Sequence, residues 1–148
     1  RIRYVVQHEL NGTGGAVLLL KNYFSSKERF LGFYADELIS RGDVEKCLEY
    51  EFSWLCWEAA NPKAGGIPTI SKEGLIAEVT EKPENPKSKI GVCGLMVVNA
   101  DIFKCVPEKH ETGEYYLTSM MNQFVKDHKV YAVIGVKRPS FSSPEDLI

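Results

Sequence analysis

A chain of 148 residues that is 44% hydrophobic and 26% charged can bury an ordinary core and is too apolar to be disordered. Its 18 Lys and Arg against 20 Asp and Glu leave a formal charge of −2, so the basic footprint that nucleic acid requires is missing. No apolar run approaches the ~20 residues that span a bilayer, and Leu18 to Leu20 is too short for a signal core, so neither a membrane nor a nucleic acid is expected as partner and a cytoplasmic address follows.

In chain order, residues 2–6 read as a strand ended by Gln7. A polar turn with Asn11-Gly12-Thr13-Gly14-Gly15 leads into a helix from Ala16 through Leu20 towards Phe24. A glycine-rich turn between strand and helix lets backbone N–H groups approach a phosphate or a base. The spacing matches neither G-x-G-x-x-G nor a Walker A loop, and local sequence alone favours a plain tight turn. Residues 29–34 form the next strand, which ends in Ala35-Asp36-Glu37. Open α/β sheets bind ligands just past a strand's carboxyl end, although on local sequence a helix cap or turn aspartate is the simpler reading of Asp36.

Gly42-Asp43 opens a helix to about Glu49, with Val44, Cys47 and Leu48 on one face, and residues 52–57 are a bulky apolar strand. A loop with Asn61-Pro62 and Gly65-Gly66 precedes a hairpin arm near residues 67–79, turned at Lys72-Glu73-Gly74. Residues 75–79 deliver Glu81 and Lys82 to a strand end, and Pro83, Asn85 and Pro86 then break the backbone. A carboxylate beside an ammonium suits a ligand that needs both an acceptor and a cation. Residues 90–98, with Gly94 inside, read as a strand buried on both faces. A short helix over 101–106 follows, then a polar loop with His110, which reads as surface rather than as a metal ligand. A helix over 117–128 puts Met120, Met121, Phe124 and Val125 on its apolar side, residues 130–136 form the last strand, and Pro144 begins a helix.

Trp54 and Trp57 read as core. Cys47, Cys56, Cys93 and Cys105 lack metal or disulfide spacing; Cys56 and Cys93 lie in strand-like runs, as small buried hydrophobes do. Strands alternating with helices argue for an α/β sheet of mostly parallel strands with an inserted hairpin arm, in one domain over residues 1–148.

Five motifs in order then carry a resemblance. They are Gln7 before Gly12-Thr13-Gly14-Gly15; the run 30–36; Glu81-Lys82-Pro83 before a small-residue strand; Gly113-Glu114-Tyr115-Tyr116-Leu117-Thr118; and Ser143-Pro144-Glu145-Asp146-Leu147. Together, over nearly the whole chain, they resemble the sugar-nucleotide pyrophosphorylases, the sugar-1-phosphate nucleotidyltransferases of the glucose-1-phosphate thymidylyltransferase type. The resemblance implies a Rossmann-like sheet flanked by helices and a reaction joining a sugar 1-phosphate, commonly glucose 1-phosphate, to a nucleoside triphosphate with release of pyrophosphate. It places Gln7, Gly12 and Thr13 at the nucleotide base and makes Asp36 the magnesium ligand. Glu81 would accept sugar hydroxyls, Lys82 would meet the sugar phosphate, and Gly66, Gly94 and Glu114 would lie at the sugar. The NDP-sugar is the implied product, and a homo-oligomer or a complementing chain the implied protein partner.

The departures from the family pattern are also specific. Ala35 replaces the glycine of a Gly-Asp pair, and Gly65 replaces a tyrosine before Gly66. Ser140 stands where a second metal aspartate belongs, and Arg138 where a tryptophan does. The family's Gly-x-Gly-Thr-Arg phosphate loop would fall before Arg1, in roughly 70–90 residues or about two βα units, so the resemblance implies an N-terminally incomplete domain. Two readings follow: a transferase body that does not turn over as an isolated chain, or a non-catalytic nucleotide-sugar-binding, regulatory or assembly subunit. A generic Rossmann-type binder unrelated to sugars is the third.

Overall fold

The computed structural model describes residues 2–136. Arg1, Arg138, Ser140, the 143–147 motif and the helix expected at Pro144 lie outside them. The elements are α1 (Thr13–Leu18), a 3-10 turn at Lys21–Tyr23, β1 (Arg29–Phe33), α2 (Arg41–Leu48), β2 (Phe52–Glu58), β3 (Gly66–Ile70), β4 (Ile76–Glu81) and β5 (Ile90–Asn99). A second 3-10 turn at Ala100–Lys104, α3 (Leu117–Asp127) and β6 (Val130–Ile134) complete them.

A four-stranded sheet has the order β1-β5-β2-β6. β5 is antiparallel to β1 and β2, and β2 is parallel to β6. Three of the four strands therefore share a direction, as a mostly parallel sheet requires, and only β5 runs against them. β5 is the spine because it is paired on both edges and buried along nearly its whole length. The period of a strand sorts its side chains: Met96 and Val98 enter one core with Trp54, Leu117, Met121 and Phe124, while Leu95 and Val97 enter the other with Cys47, Leu55 and Val133. Helix α3 covers the first face and α2 the second. Trp54, Trp57, Met120 and Met121 are core residues, and the four cysteines are free.

Three local expectations are corrected. Residues 2–6 form no strand and their side chains are exposed; among the described residues no strand lies beside them, and an extended segment without a neighbour has nothing to pair its N–H and C=O groups. The first helix begins at Thr13 and takes in the glycines. Gly14 permits this because a Cβ there would lie 3.0 Å from both Pro107 Cβ and the Tyr115 carbonyl oxygen. The helix expected at 101–106 is instead the 3-10 turn Ala100–Lys104, started by the Asn99 side chain accepting the Asp101 N–H at 3.0 Å.

Arg29, at the start of β1, donates to the carbonyls of Leu48, Tyr50 and Glu51 and so satisfies acceptors left at the end of α2. The hairpin β3–β4 forms a separate two-stranded sheet that turns at Gly74, whose φ of 81° suits glycine. It is docked by a side chain that imitates a strand: Asn122 on α3 accepts the Val79 N–H at 2.7 Å and donates to the Val79 carbonyl at 2.9 Å. Replacing Asn122 with Leu leaves both backbone groups unpaired and should cost about 2 kcal/mol in urea denaturation, with faster hydrogen exchange at the Val79 amide. Unchanged exchange at Val79 would show that the pairing does not hold the arm.

Candidate functional site

The carboxyl ends of β1 and β4, the start of β3 and the residues before α3 converge on one cavity of about 300 Å3. Its lining includes Thr13, Tyr34, Asp36, Glu37, Gly66, Glu81, Lys82 and Tyr116, with Thr118 behind Glu81. Asp36 reaches it as the third residue past β1, and Glu81 as the last residue of β4. Lys82 follows in the left-handed region at φ 42°, a conformation that costs a non-glycine residue energy and is held here by its N–H bonding the Gly65 carbonyl at 3.1 Å. Gly66 is buried, and a Cβ there would fall 2.9 Å from Val79 Cγ1 and Val92 Cγ2, so the backbone itself forms the wall.

The electrostatics are those of an acid-rich cavity with a single ammonium. Burial raises the Glu81 carboxyl above its ordinary value, opposed by the Thr118 hydroxyl and by the charges of Lys82 and His110. Burial likewise raises Glu37, although its Oε2 accepts the Gly94 N–H at 2.7 Å. Tyr34 is pushed up to about 12, chiefly by burial. Lys82 is raised first by its hydrogen bond to the Tyr116 hydroxyl, at 2.5 Å, and lies 4.6 Å over that ring. Among the described residues Lys82 is the only ammonium or guanidinium lining the cavity.

Of the residues singled out from sequence, Asp36, Lys82, Glu81, Gly66 and Thr13 share this cavity. Gly94 lies just behind it: a Cβ there would meet the Tyr34 ring at 2.6 Å, and its N–H belongs to Glu37. Glu114 does not line the cavity; it accepts the Tyr116 hydroxyl at its edge. Gln7 and Gly12 are outside the lining. The Gln7 amide donates to Asn11 Oδ1 and the Gly12 carbonyl within its own loop.

The glycine loop packs backbone to backbone on Tyr115: the Tyr115 N–H bonds Asn11 O and the Gly14 N–H bonds Tyr115 O, both at 2.8 Å. Gly12, at φ 104°, would set a Cβ 2.6 Å from the same carbonyl. Thr13 Oγ1 accepts the Leu117 N–H at 2.9 Å, capping α3, and its hydroxyl also bonds Tyr34.

Sequence reading missed Tyr34, Glu37, Tyr116 and Thr118 as cavity residues. Glu37 stands beside Asp36, and Tyr116 and Thr118 stand inside a motif already noted, so adjacency was the available signal. Their orientation was not.

Among the described residues no group of three or more His, Cys, Asp or Glu side chains is arranged to hold a metal ion. Magnesium does not need such a cage: one or two carboxylates completed by substrate phosphates and water suffice, and Asp36 in a cavity with a lysine fits that pattern. No helix among the described residues is long and apolar enough to cross a membrane.

Comparison with known proteins finds relatives over most of the chain. A bifunctional GlmU protein of Methanocaldococcus jannaschii is 33% identical over 135 residues, which are 90% of this chain and 32% of that protein. A bifunctional sugar-1-phosphate nucleotidylyltransferase/acetyltransferase of Sulfurisphaera tokodaii is 29% identical over 130 residues, 84% of this chain and 31% of that one. The chain thus spans about a third of the length of the curated relatives it matches.

Among solved structures, UDP-glucose pyrophosphorylase complexed with UDP-glucose superimposes with a TM-score of 0.79 at 22% identity, over 92% of this chain and 58% of that one. A Bacillus anthracis protein described as a glucose-1-phosphate thymidylyltransferase, in complex with a sucrose, gives 0.78 at 22% identity, over 98% and 61%. These likenesses carry the fold, which is the Rossmann-like arrangement expected from the sequence. The nucleotidyl transferase family model matches residues 1–138. With that match over most of its length, the chain belongs to the nucleotidyl transferase family.

Proposed function

We propose that the cavity binds the sugar and phosphate of a sugar 1-phosphate or NDP-sugar, and that the protein joins a sugar 1-phosphate, glucose 1-phosphate in the first instance, to a nucleoside triphosphate. The observation that carries this reading is the convergence of Asp36, Glu81 and Lys82, from distant parts of the chain, on one cavity. In the reaction a phosphate oxygen of the sugar 1-phosphate attacks the α-phosphorus in line. The bond from that phosphorus to the bridging oxygen breaks, and pyrophosphate carries away the electron pair.

Catalysis of this kind is largely positioning and charge neutralisation. Glu81, when ionised, accepts hydrogen bonds from sugar hydroxyls and fixes the ring. Lys82 offers its ammonium to the sugar phosphate, and Gly66 lets the ring lie against backbone. Asp36 would hold a magnesium ion, which when bound neutralises phosphate charge.

One ammonium suits one phosphate group rather than a triphosphate, so the isolated chain is expected to bind an NDP-sugar without turning it over. A second reading, a non-catalytic nucleotide-sugar-binding subunit, draws on the glycine loop, where the Gly14 N–H is used by Tyr115. A complementing chain or second copy would pair at β1, which is an edge strand among the described residues. A cytoplasmic location, where nucleotides and sugar phosphates are at hand, goes with this function.

Magnesium-dependent pyrophosphate release from glucose 1-phosphate and each nucleoside triphosphate, assayed with the full-length protein, tests the transferase reading. Asp36→Asn and Lys82→Ala should each lower the rate by about 100-fold, as expected for lost transition-state charge stabilisation. No release with any triphosphate, alongside retained NDP-sugar binding by calorimetry, would favour the second reading.

The raised Glu81 carboxyl sets a pH dependence for binding. Burial favours its neutral form relative to water, so this group's contribution to stability is present at low pH and is lost as pH rises through its folded-state value. Binding has the opposite slope, since a hydroxyl donor wants the ionised carboxylate. The affinity for UDP-glucose should therefore rise with pH across the range just above an ordinary glutamate pKa, and Glu81→Gln should remove the part of that slope owed to Glu81. An unchanged slope in that variant would take Glu81 away from the ligand.

A further inference from the structure

Tyr116 sits immediately before α3, and its ring lines the cavity. Its hydroxyl receives the Lys82 ammonium at 2.5 Å, while the face of the same ring lies 4.6 Å from Nζ. Two separate attractions therefore act on one cation, a hydrogen bond and the ring quadrupole. The hydroxyl in turn donates to the Glu114 carboxylate and lies 3.2 Å from Thr112 Oγ1. His110 packs edge-on against the ring at 5.3 Å between centroids, and its Nδ1 is 3.1 Å from Thr112 Oγ1. The tyrosine is thus held by three residues of one loop, and its phenol is polarised by a carboxylate that does not itself line the cavity.

Lys82 is fixed at both ends of its side chain. The backbone end is tied by the Gly65 carbonyl in a left-handed conformation, and the ammonium end is tied by Tyr116. A lysine otherwise carries large rotamer freedom, which a ligand must quench when it recruits the charge. An ammonium has three N–H donors, and Tyr116 takes one. Two remain for phosphate oxygens, now at a set place on the cavity wall.

We propose that Tyr116 is the positioning residue for Lys82, oriented by Glu114, and that this Glu114–Tyr116–Lys82 chain presets the ammonium where the cavity receives a phosphate. Glu114 then acts on the ligand through Tyr116 rather than by touching the sugar. The part concerning phosphate rests on the sugar-phosphate reading of the cavity; the part concerning the ammonium stands on the contacts alone.

Tyr116→Phe keeps the ring and its place before α3 but removes the hydroxyl, so it separates positioning from packing. Two measurements decide the matter. The first is an NMR titration of the Lys82 ammonium in wild type, Tyr116→Phe and Glu114→Gln. The raised Lys82 value, owed first to the Tyr116 hydroxyl, should fall in Tyr116→Phe and move in the same direction in Glu114→Gln. A merely structural tyrosine would leave it in place, and an unshifted Lys82 in Tyr116→Phe overturns the proposal. If that variant does not fold, Tyr116→Met, which also lacks the hydroxyl, carries the same decision, because Glu114→Gln in addition removes a charge that raises Lys82 directly.

The second is calorimetric binding of glucose 1-phosphate in a double-mutant cycle with Lys82→Met. Tyr116→Phe should weaken binding about tenfold when Lys82 is present and leave it unchanged in the Lys82→Met background. Equal losses in both backgrounds would overturn the coupling. Absence of glucose 1-phosphate binding by wild type and by the full-length protein would instead end the sugar-phosphate reading, with the NMR titration still deciding whether Tyr116 positions Lys82.

Discussion

The amide of Asn122 decides where one wall of the cavity stands. The hairpin β3–β4 forms its own sheet, joined to β6 only near its turn by the Leu75–Tyr131 bridge, and among the described residues no strand pairs with β4 at Val79 on its outer side. Asn122 supplies one acceptor and one donor at the spacing of a peptide group, so helix α3 acts as a neighbouring strand at Val79. Burial of Ile76 and Val79 against Met120, Met121 and Leu117 supplies the apolar part of the same contact. Glu81 lies two residues beyond Val79 in the strand. Once Val79 is clamped, the period of a strand and the left-handed step at Lys82 send the carboxylate and the ammonium into the cavity.

The cavity's charge balance bears on the ligand proposed for it. Among the described residues Asp36, Glu37 and Glu81 line it with Lys82, so carboxylates outnumber cations there. On the proposed reading, the hydroxyls of a sugar meet acceptors on this wall and a phosphate meets the one cation. Burial raises both Glu37 and Glu81, because the charged carboxylate is costlier away from water.

The glycine loop and the 113–118 segment form a second constraint. Gly12 and Gly14 allow two backbones to touch at Tyr115, and Thr13 crosses the seam to cap α3 and bond Tyr34. The beginning of α1, the beginning of α3 and the end of β1 are thereby locked to each other. Tyr116 stands at the centre of this junction, which explains how a single side chain can hold Lys82 from across the cavity.

Local patterning determined much of this. The apolar periods of β1, β2, β5, α2 and α3 were legible because each buries a face whose spacing is set by its own backbone geometry. The turn at Gly74 was legible because positive φ favours glycine. Asp36, Glu81 and Lys82 could be named because they stand at strand ends inside ordered motifs. Tertiary structure decided the rest. Residues 2–6 have strand propensity but no partner strand among the described residues, and only pairing makes a strand. The sequence could not show that the glycine turn packs on Tyr115, because close approach to a phosphate and close approach to another backbone make the same demand for a missing Cβ. Glu37, Tyr34 and Tyr116 entered the site through contacts across 57, 60 and 34 positions of chain with Gly94, Gly94 and Lys82, and no local pattern encodes a pairing whose partner is brought close only by folding.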